Sequence, residues 1–237
     1  YVKEFDEKLA LDVYAFFFFF HDADDFDGRL SMWRGYGASG NGAAVVFATA
    51  SAAAASNESV SSVLYLAPVA YGDRQSRVFK FRELVDDFAG LVSSHAPSDD
   101  EICLVAFHLL QCTIIQSLLT KHKCFDEERE WRLIYMRHVD DENELTSDLS
   151  YHIGPQGPEP KLKFRVRPVR GMDVENLTLS SLIDRSIVGP GNSTPLAVAS
   201  FKRVVELKLG VAFSEKVYGS SIPFRPTFPA NEGRRTD

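Results

Sequence analysis

The chain has 237 residues, of which 45% are hydrophobic and 25% charged, and it carries a formal net charge of −7. That is ample for a packed core and excludes disorder throughout, and the acidic balance argues against non-specific nucleic-acid binding, which needs a basic surface to displace counterions. Cys103, Cys112 and Cys124 are odd in number and widely spaced, so they read as reduced thiols of a cytoplasmic protein rather than as a disulfide framework.

The predicted elements follow in chain order. The chain opens at Tyr1 rather than Met, so the expectation is that its true N-terminus is missing. Leu11 to Phe20 is apolar and aromatic and predicts a strand buried on both faces. His21 to Gly28 predicts an acidic loop, Arg29 to Tyr36 a short helix, Gly35 to Gly42 a glycine-rich turn, and Ala43 to Ala48 a second buried strand. Ala50 to Ser59 predicts a surface loop and Val63 to Tyr71 a strand. Val78 to Ser93 has apolar residues at helical spacing: Val78, Phe81, Val85, Phe88, Leu91 and Val92. Ser98 to Lys121 predicts the clearest helix, with Ser98 as its cap and Asp99, Asp100 and Glu101 favoured by the dipole in its first turn. Being apolar on most sides, it is expected to be buried. No run suggests a membrane span of roughly 18–20 apolar residues. Asp140 to Pro160 predicts a loop or hairpin, Leu162 to Val169 a half-exposed strand, and Ile183 to Val188 another short strand. Thr194 caps a helix with Pro195 at its first position, running to about Leu209. Phe213 to Tyr218 and Ile222 to Phe224 predict closing strands. The irregular alternation favours an α+β fold, with a mixed or mostly antiparallel sheet and flanking helices, over a doubly wound one. The expectation is a single domain over residues 1–228 with a flexible tail at 229–237.

Several motifs carry a bland reading beside a chemical one. Gly35-Tyr36-Gly37-Ala38-Ser39-Gly40 has the dinucleotide spacing, but a helix precedes it and a strand follows, the reverse of what phosphate binding requires. Asp22 to Gly28 resembles a calcium loop, yet the twelfth position is Trp33 instead of Glu. His108 and Cys112 share a helix face without a Cys-x-x-Cys, so no metal is expected. Gly189 to Pro195 could hold an anion at a helix start, or be a plain strand–helix turn. Lys161, Lys163, Arg165, Arg167 and Arg170 form a basic run that reads first as a solvated face.

The segment Glu128-Arg129-Glu130-Trp131-Arg132 is the best candidate for chemistry. As a helix it forms an i,i+4 ion pair between Glu128 and Arg132. As a strand, which Trp, Leu, Ile and Tyr favour, it puts Glu128, Glu130 and Arg132 on one face. Such a face suits either a polar cleft, where a carboxylate orients a ribose hydroxyl or stabilises a cationic transition state, or a structural ion-pair network.

Taken together, Leu30-Ser31-Met32-Trp33-Arg34-Gly35-Tyr36, Gly40 to Phe47, Lys121-His122 with Phe125, Glu128-x-Glu130-Trp131-Arg132, Gly189-Pro190 and Ser221 to Arg225 resemble the bacterial family catalogued as domain of unknown function 2971. Members open with a Tyr/His-rich segment and an Asn-Asp-Pro stretch that this chain lacks, and carry serines where it has Phe16 to Phe20. The family's layout is similar to that of ADP-ribosyltransferases. That similarity implies an NAD-binding enzyme acting on an unknown cellular or phage target, with NAD as substrate. Glu130 would then be the catalytic carboxylate, Glu128 its helper in positioning the acceptor, and Arg132, Arg34, Tyr36 and Trp33 the substrate-binding residues. The alternative is a non-catalytic domain that binds or senses a partner protein. An open polar cleft at Glu128, Glu130 and Arg132 favours the enzyme; burial of the three in mutual salt bridges favours the binding domain.

Overall fold

A computed structural model describes residues 11–48, 63–95, 98–155, 157–163 and 178–225, without the Ser180 side chain. In chain order its elements are β1 (Val13–Phe19), α1 (Leu30–Gly35), β2 (Ala43–Phe47), β3 (Leu64–Pro68), β4 (Ala70–Gly72), α2 (Arg74–His95), α3 (Asp99–Leu118), β5 (Thr120–His122), β6 (Glu130–Met136), β7 (Leu149–Gly154), β8 (Gly157–Leu162), α4 (Leu179–Leu182), β9 (Ile183–Val188), α5 (Pro195–Leu209), α6 (Val211–Ser214) and β10 (Val217–Gly219). The fold is α+β, with small, mostly antiparallel sheets.

The described residues divide into two compact units, each assembled from separated stretches: 11–20 with 63–163, and 21–48 with 178–225. In the first, β6 is the central strand of an antiparallel sheet ordered β1-β6-β3. Its C-terminal half, Ile134, Tyr135 and Met136, is fully buried and forms the core there. Tyr135 donates its hydroxyl to Asp140 at 2.8 Å, and Asp140 also accepts from the Glu144 and Leu145 N–H groups. β4 and β5 pair in parallel with Tyr71 opposite Lys121. From Leu149 the segment expected as a loop or hairpin over 140–160 pairs as antiparallel β7 and β8, while residues 140–148 lie outside these strands. In the second unit, β9 lies between β10 and β2. Val188, Val205 and Val217 form its core, with Val198, Phe201 and Phe213 packed against it. Thr194 caps α5 by accepting from Ala197 N–H at 3.3 Å, with Pro195 in the first turn.

Several expectations are corrected. β1 is not buried on both faces: it is an edge strand, and Phe16 and Phe17 are 46% and 51% exposed. α3 is helical as expected, with Glu101 accepting from the Ser98 N–H at 2.7 Å in the first turn, but neither α3 nor α2 contains a buried residue. By length and composition alone, α3 is long and apolar enough to cross a membrane, contrary to the expectation that no run suggests a span. Residues 211–214 form α6, so the strand expected over Phe213 to Tyr218 begins only at Val217. Ile222 to Phe224 is irregular. The loop 50–59, the tail 229–237 and most of the basic run 161–170 lie outside the described residues.

Candidate functional site

The segment at 128–132 is a strand from Glu130 onward, while Glu128 ends a 3-10 turn spanning Lys123–Glu128. Arg129, between them, takes φ 44° and ψ 53°. One left-handed residue there turns the chain out of the 3-10 turn and into β6, and the two carboxylates on either side of it meet at one cation. That cation is Lys121, set on β5 by its pairing with Tyr71. Lys121 Nζ donates to Glu128 Oε2 and, at 3.1 Å, to Glu130 Oε2. Arg132 donates from Nε to Glu130 Oε1 at 2.7 Å and from its second terminal nitrogen to Oε2 at 3.2 Å. Its remaining terminal nitrogen donates to the carbonyl of Leu118, at the end of α3. A helix C-terminus leaves such carbonyls unpaired and favours positive charge. The Glu130 N–H donates to the Tyr71 hydroxyl at 2.8 Å.

The cluster is closed. Glu128 is 5% and Glu130 2% exposed. Two aromatic rings cover its cations: Phe125 lies 4.8 Å from Lys121 Nζ, and Phe17, opposite Arg132 across the β1–β6 ladder, lies 5.0 Å from the guanidinium carbon. Burial by itself raises the Glu130 pKa, but the hydrogen bonds and charges of Arg132 and Lys121 outweigh it and hold the carboxyl below its ordinary value. Burial likewise lowers Lys121, and Glu128 and Glu130 outweigh it, so the ammonium lies above its ordinary value. Both shifts favour a permanently charged brace over a group poised to exchange protons near neutrality.

On the other side of β6 a shallow, mainly apolar hollow of about 260 Å³ is lined by Phe20, Pro68, Val69, Tyr71, Arg129, Glu130 and Trp131. Phe20 and Trp131 are 48% and 39% exposed, and the Arg129 guanidinium carbon sits 5.6 Å from the Phe20 ring centroid.

Trp33, Arg34 and Tyr36 belong to the second unit and are described with it. Trp33 is 4% exposed and donates its indole N–H to the Asp27 carbonyl at 2.8 Å. Its ring is closely flanked by Gly28 and Gly37, where an added Cβ would come within 3.0 and 2.6 Å of it. Arg34 and Tyr36, on α1 and just after it, are exposed. The acidic loop acts as a latch: Asp25 Oδ1 accepts from the Asp27 and Gly28 N–H groups at 2.8 and 2.9 Å, and Asp27 Oδ2 accepts from the Ser221 hydroxyl at 3.1 Å. Among the described residues, no three His, Cys, Asp or Glu side chains gather as a metal site. The glycine turn after α1 joins the Gly189–Asn192 turn through Gly189 N–H to Gly42 O at 2.8 Å and Gly191 N–H to Gly40 O at 2.9 Å. Gly40, at φ 85°, lies against the Phe224 ring, which a Cβ there would meet at 2.7 Å. The glycines at 40, 42, 189 and 191, with Phe224, therefore form one knot of close backbone packing.

The structure thus brings Glu128, Glu130 and Arg132 together and adds three residues that the spacing could not assign: Lys121, Tyr71 and Phe17. In the sequence Lys121 stood at the end of the expected helix and in the Lys121-His122 pair of the family resemblance, and Phe17 in the expected strand as a departure from serine. Residues 32–133 match the model of a family described as a protein of unknown function, DUF2971. No curated protein and no solved structure matches the chain. The matched stretch holds Trp33, the glycine turn, the α2–α3 hairpin and the Lys121–Arg132 cluster, and over that stretch the chain is similar to the DUF2971 family.

Proposed function

We propose that this chain is a non-catalytic domain that binds a partner protein, and that Lys121, Glu128, Glu130 and Arg132 form its internal charged brace. The observation that carries this reading is the state of Glu130, which is 2% exposed with Oε1 held by Arg132 and Oε2 held by Lys121 and Arg132. A catalytic carboxylate must reach the reacting group or the charge that develops on it; this one spends both oxygens on its neighbours. Phe17, where the family resemblance implies a serine-bearing strand, closes the cluster further. A cytoplasmic setting accords with Cys103, Cys112 and Cys124 being free thiols.

The hollow beside β6 favours a second reading, an ADP-ribosyltransferase-like enzyme that takes NAD. Phe20, Tyr71 and Trp131 offer ring surfaces to a flat heteroaromatic group, and Glu130 borders the same space. In that reading Glu130 is catalytic, Glu128 positions the acceptor, and Arg132, Arg34, Tyr36 and Trp33 hold substrate.

Nicotinamide release from NAD by the chain and by Glu130→Gln, with thermal melts of both, separates the two. The binding-domain reading expects no release and a lower Tm for the variant. Release that Glu130→Gln abolishes at an unchanged Tm would overturn it in favour of the enzyme.

A further inference from the structure

We infer that the α2–α3 hairpin docks on the same hairpin of a second copy of this chain, forming a two-fold antiparallel four-helix bundle. The inference stands apart from the reading above, because a binding domain or an enzyme could dimerise this way.

α2 and α3 run for 22 and 20 residues, pack on each other, and bury none of their residues. Even the inner seam of Leu84, Val85, Phe88 and Val92 on α2 is only half covered. Outside the seam, Phe79 is 62%, Leu91 56%, Leu104 56% and Phe107 46% exposed. A two-helix hairpin has no enclosed core, and helices this apolar are stable in water when a further layer covers them. Large exposed apolar side chains along both helices mark an interaction site.

Charge selects the occupant. The first half of α2 is basic, with Arg74, Arg77, Lys80 and Arg82. Its second half turns acidic at Glu83, Asp86 and Asp87, and α3 then opens on Asp99, Asp100 and Glu101. With three residues linking the helices, the hairpin has one acidic end, at the link, and one basic end. Two copies related by a two-fold axis and run antiparallel set the basic end of each against the acidic end of the other, and like ends apart. The apolar positions suit the same axis: Val78, Phe81, Val85 and Phe88 are spaced symmetrically about position 83, so an antiparallel partner presents the same series in reverse. A bilayer is the poorer fit. It could take α3 by composition, but α2 carries seven charged residues in its 22, and the acidic link end would be repelled by anionic lipid.

The test is the mass of the whole chain by sedimentation equilibrium, beside two charge-reversed variants at exposed positions. One is Lys80→Glu with Arg82→Glu, the other Asp86→Lys with Asp87→Lys. The parent is expected at twice its single-chain mass of 26.5 kDa, each variant at the single-chain mass, and an equimolar mixture of the variants at the double mass again. Far-UV circular dichroism checks that the variants keep the parent's helix content; if either does not, Leu104→Arg, at a 56% exposed position, is expected to halve the parent's mass instead. A parent that stays at the single-chain mass overturns the inference, as does a parent that binds phosphatidylglycerol vesicles through α3 without self-associating. Variants that retain the double mass overturn it as well, by placing any dimer on another surface.

Discussion

Lys121 Nζ lies 3.1 Å from Glu130 Oε2 although the two residues sit on different sheets, and the same ammonium donates to Glu128. One cation thus reconciles two carboxylates that are 5% and 2% exposed. Removing it should leave like charges buried side by side. Lys121→Met is expected to cost about 3 kcal/mol, since breaking a buried ion pair from one side strands the other partner. The measurement is urea denaturation, read as a fall in midpoint at unchanged m-value. A midpoint equal to that of the parent would show that water or Arg132 already compensates the pair.

Acid should act through the same cluster. Arg132 and Lys121 hold the Glu130 pKa below its ordinary value of 4.5 against the opposing effect of burial. A carboxyl whose pKa is depressed by folding contributes stability that is present above its unfolded pKa and lost as pH falls through the folded one. The stability difference between the parent and Glu130→Gln is therefore expected to be constant from neutrality down to that ordinary value and to shrink below it. Asp140 shifts in the same direction, but it is present in both proteins and cancels in the difference. A gap as wide at about pH 3 as at neutrality would contradict the assigned ion pairs.

Tyr135 governs the alkaline limb. Burial first, and then its hydrogen bond to Asp140, push its pKa up to about 12. The stability tied to that shift is complete below the ordinary tyrosine value of 10.0 and fades as pH rises from there towards about 12. Tyrosinate absorbance should show one tyrosine titrating last, and Tyr135→Phe should remove it. The same variant is expected to cost about 1–3 kcal/mol at neutral pH, because Asp140 loses a buried donor.

In the second unit the glycine knot leaves no space for a methyl group. A Cβ on Gly189 would stand 2.4 Å from the Gly40 carbonyl oxygen and 2.9 Å from that of Gly42. The φ of −64° at Gly189 suits any residue, so the cost of Gly189→Ala is purely one of packing against backbone. Overpacking of this kind costs about 1–3 kcal/mol, and backbone that cannot swing aside sets the expectation at the upper end. A thermal melt reads it; an unchanged Tm would mean that the two turns separate without penalty.

Much of the local structure was legible because it depends on short-range chemistry. Thr194 with Pro195 marks the start of α5 whatever lies around it, and Ile183, Ile187 and Val188 supply the β-branched residues of a short strand. Burial was not legible in the same way. Phe16 to Phe20 and α3 are both apolar enough to be core, yet among the described residues β1 is an edge strand and α3 buries none of its residues. Composition measures the demand for cover and not its supply. The assignment of the two units, each built from stretches far apart in sequence, had no local signal either.

The candidate site divides along the same line. The sequence by itself determined that Glu130 and Arg132 share a face, because alternation along β6 is a property of the backbone, whereas Glu128 reaches them from the 3-10 turn before the strand. Only the tertiary structure decided what those charges do. The parallel pairing of β4 with β5 brings Lys121 under two carboxylates, the end of α3 offers Arg132 a carbonyl, and the β1–β6 register lays Phe17 over the guanidinium. Whether a carboxylate is open or enclosed depends on neighbours from other elements of the chain, and no spacing rule within one segment encodes them.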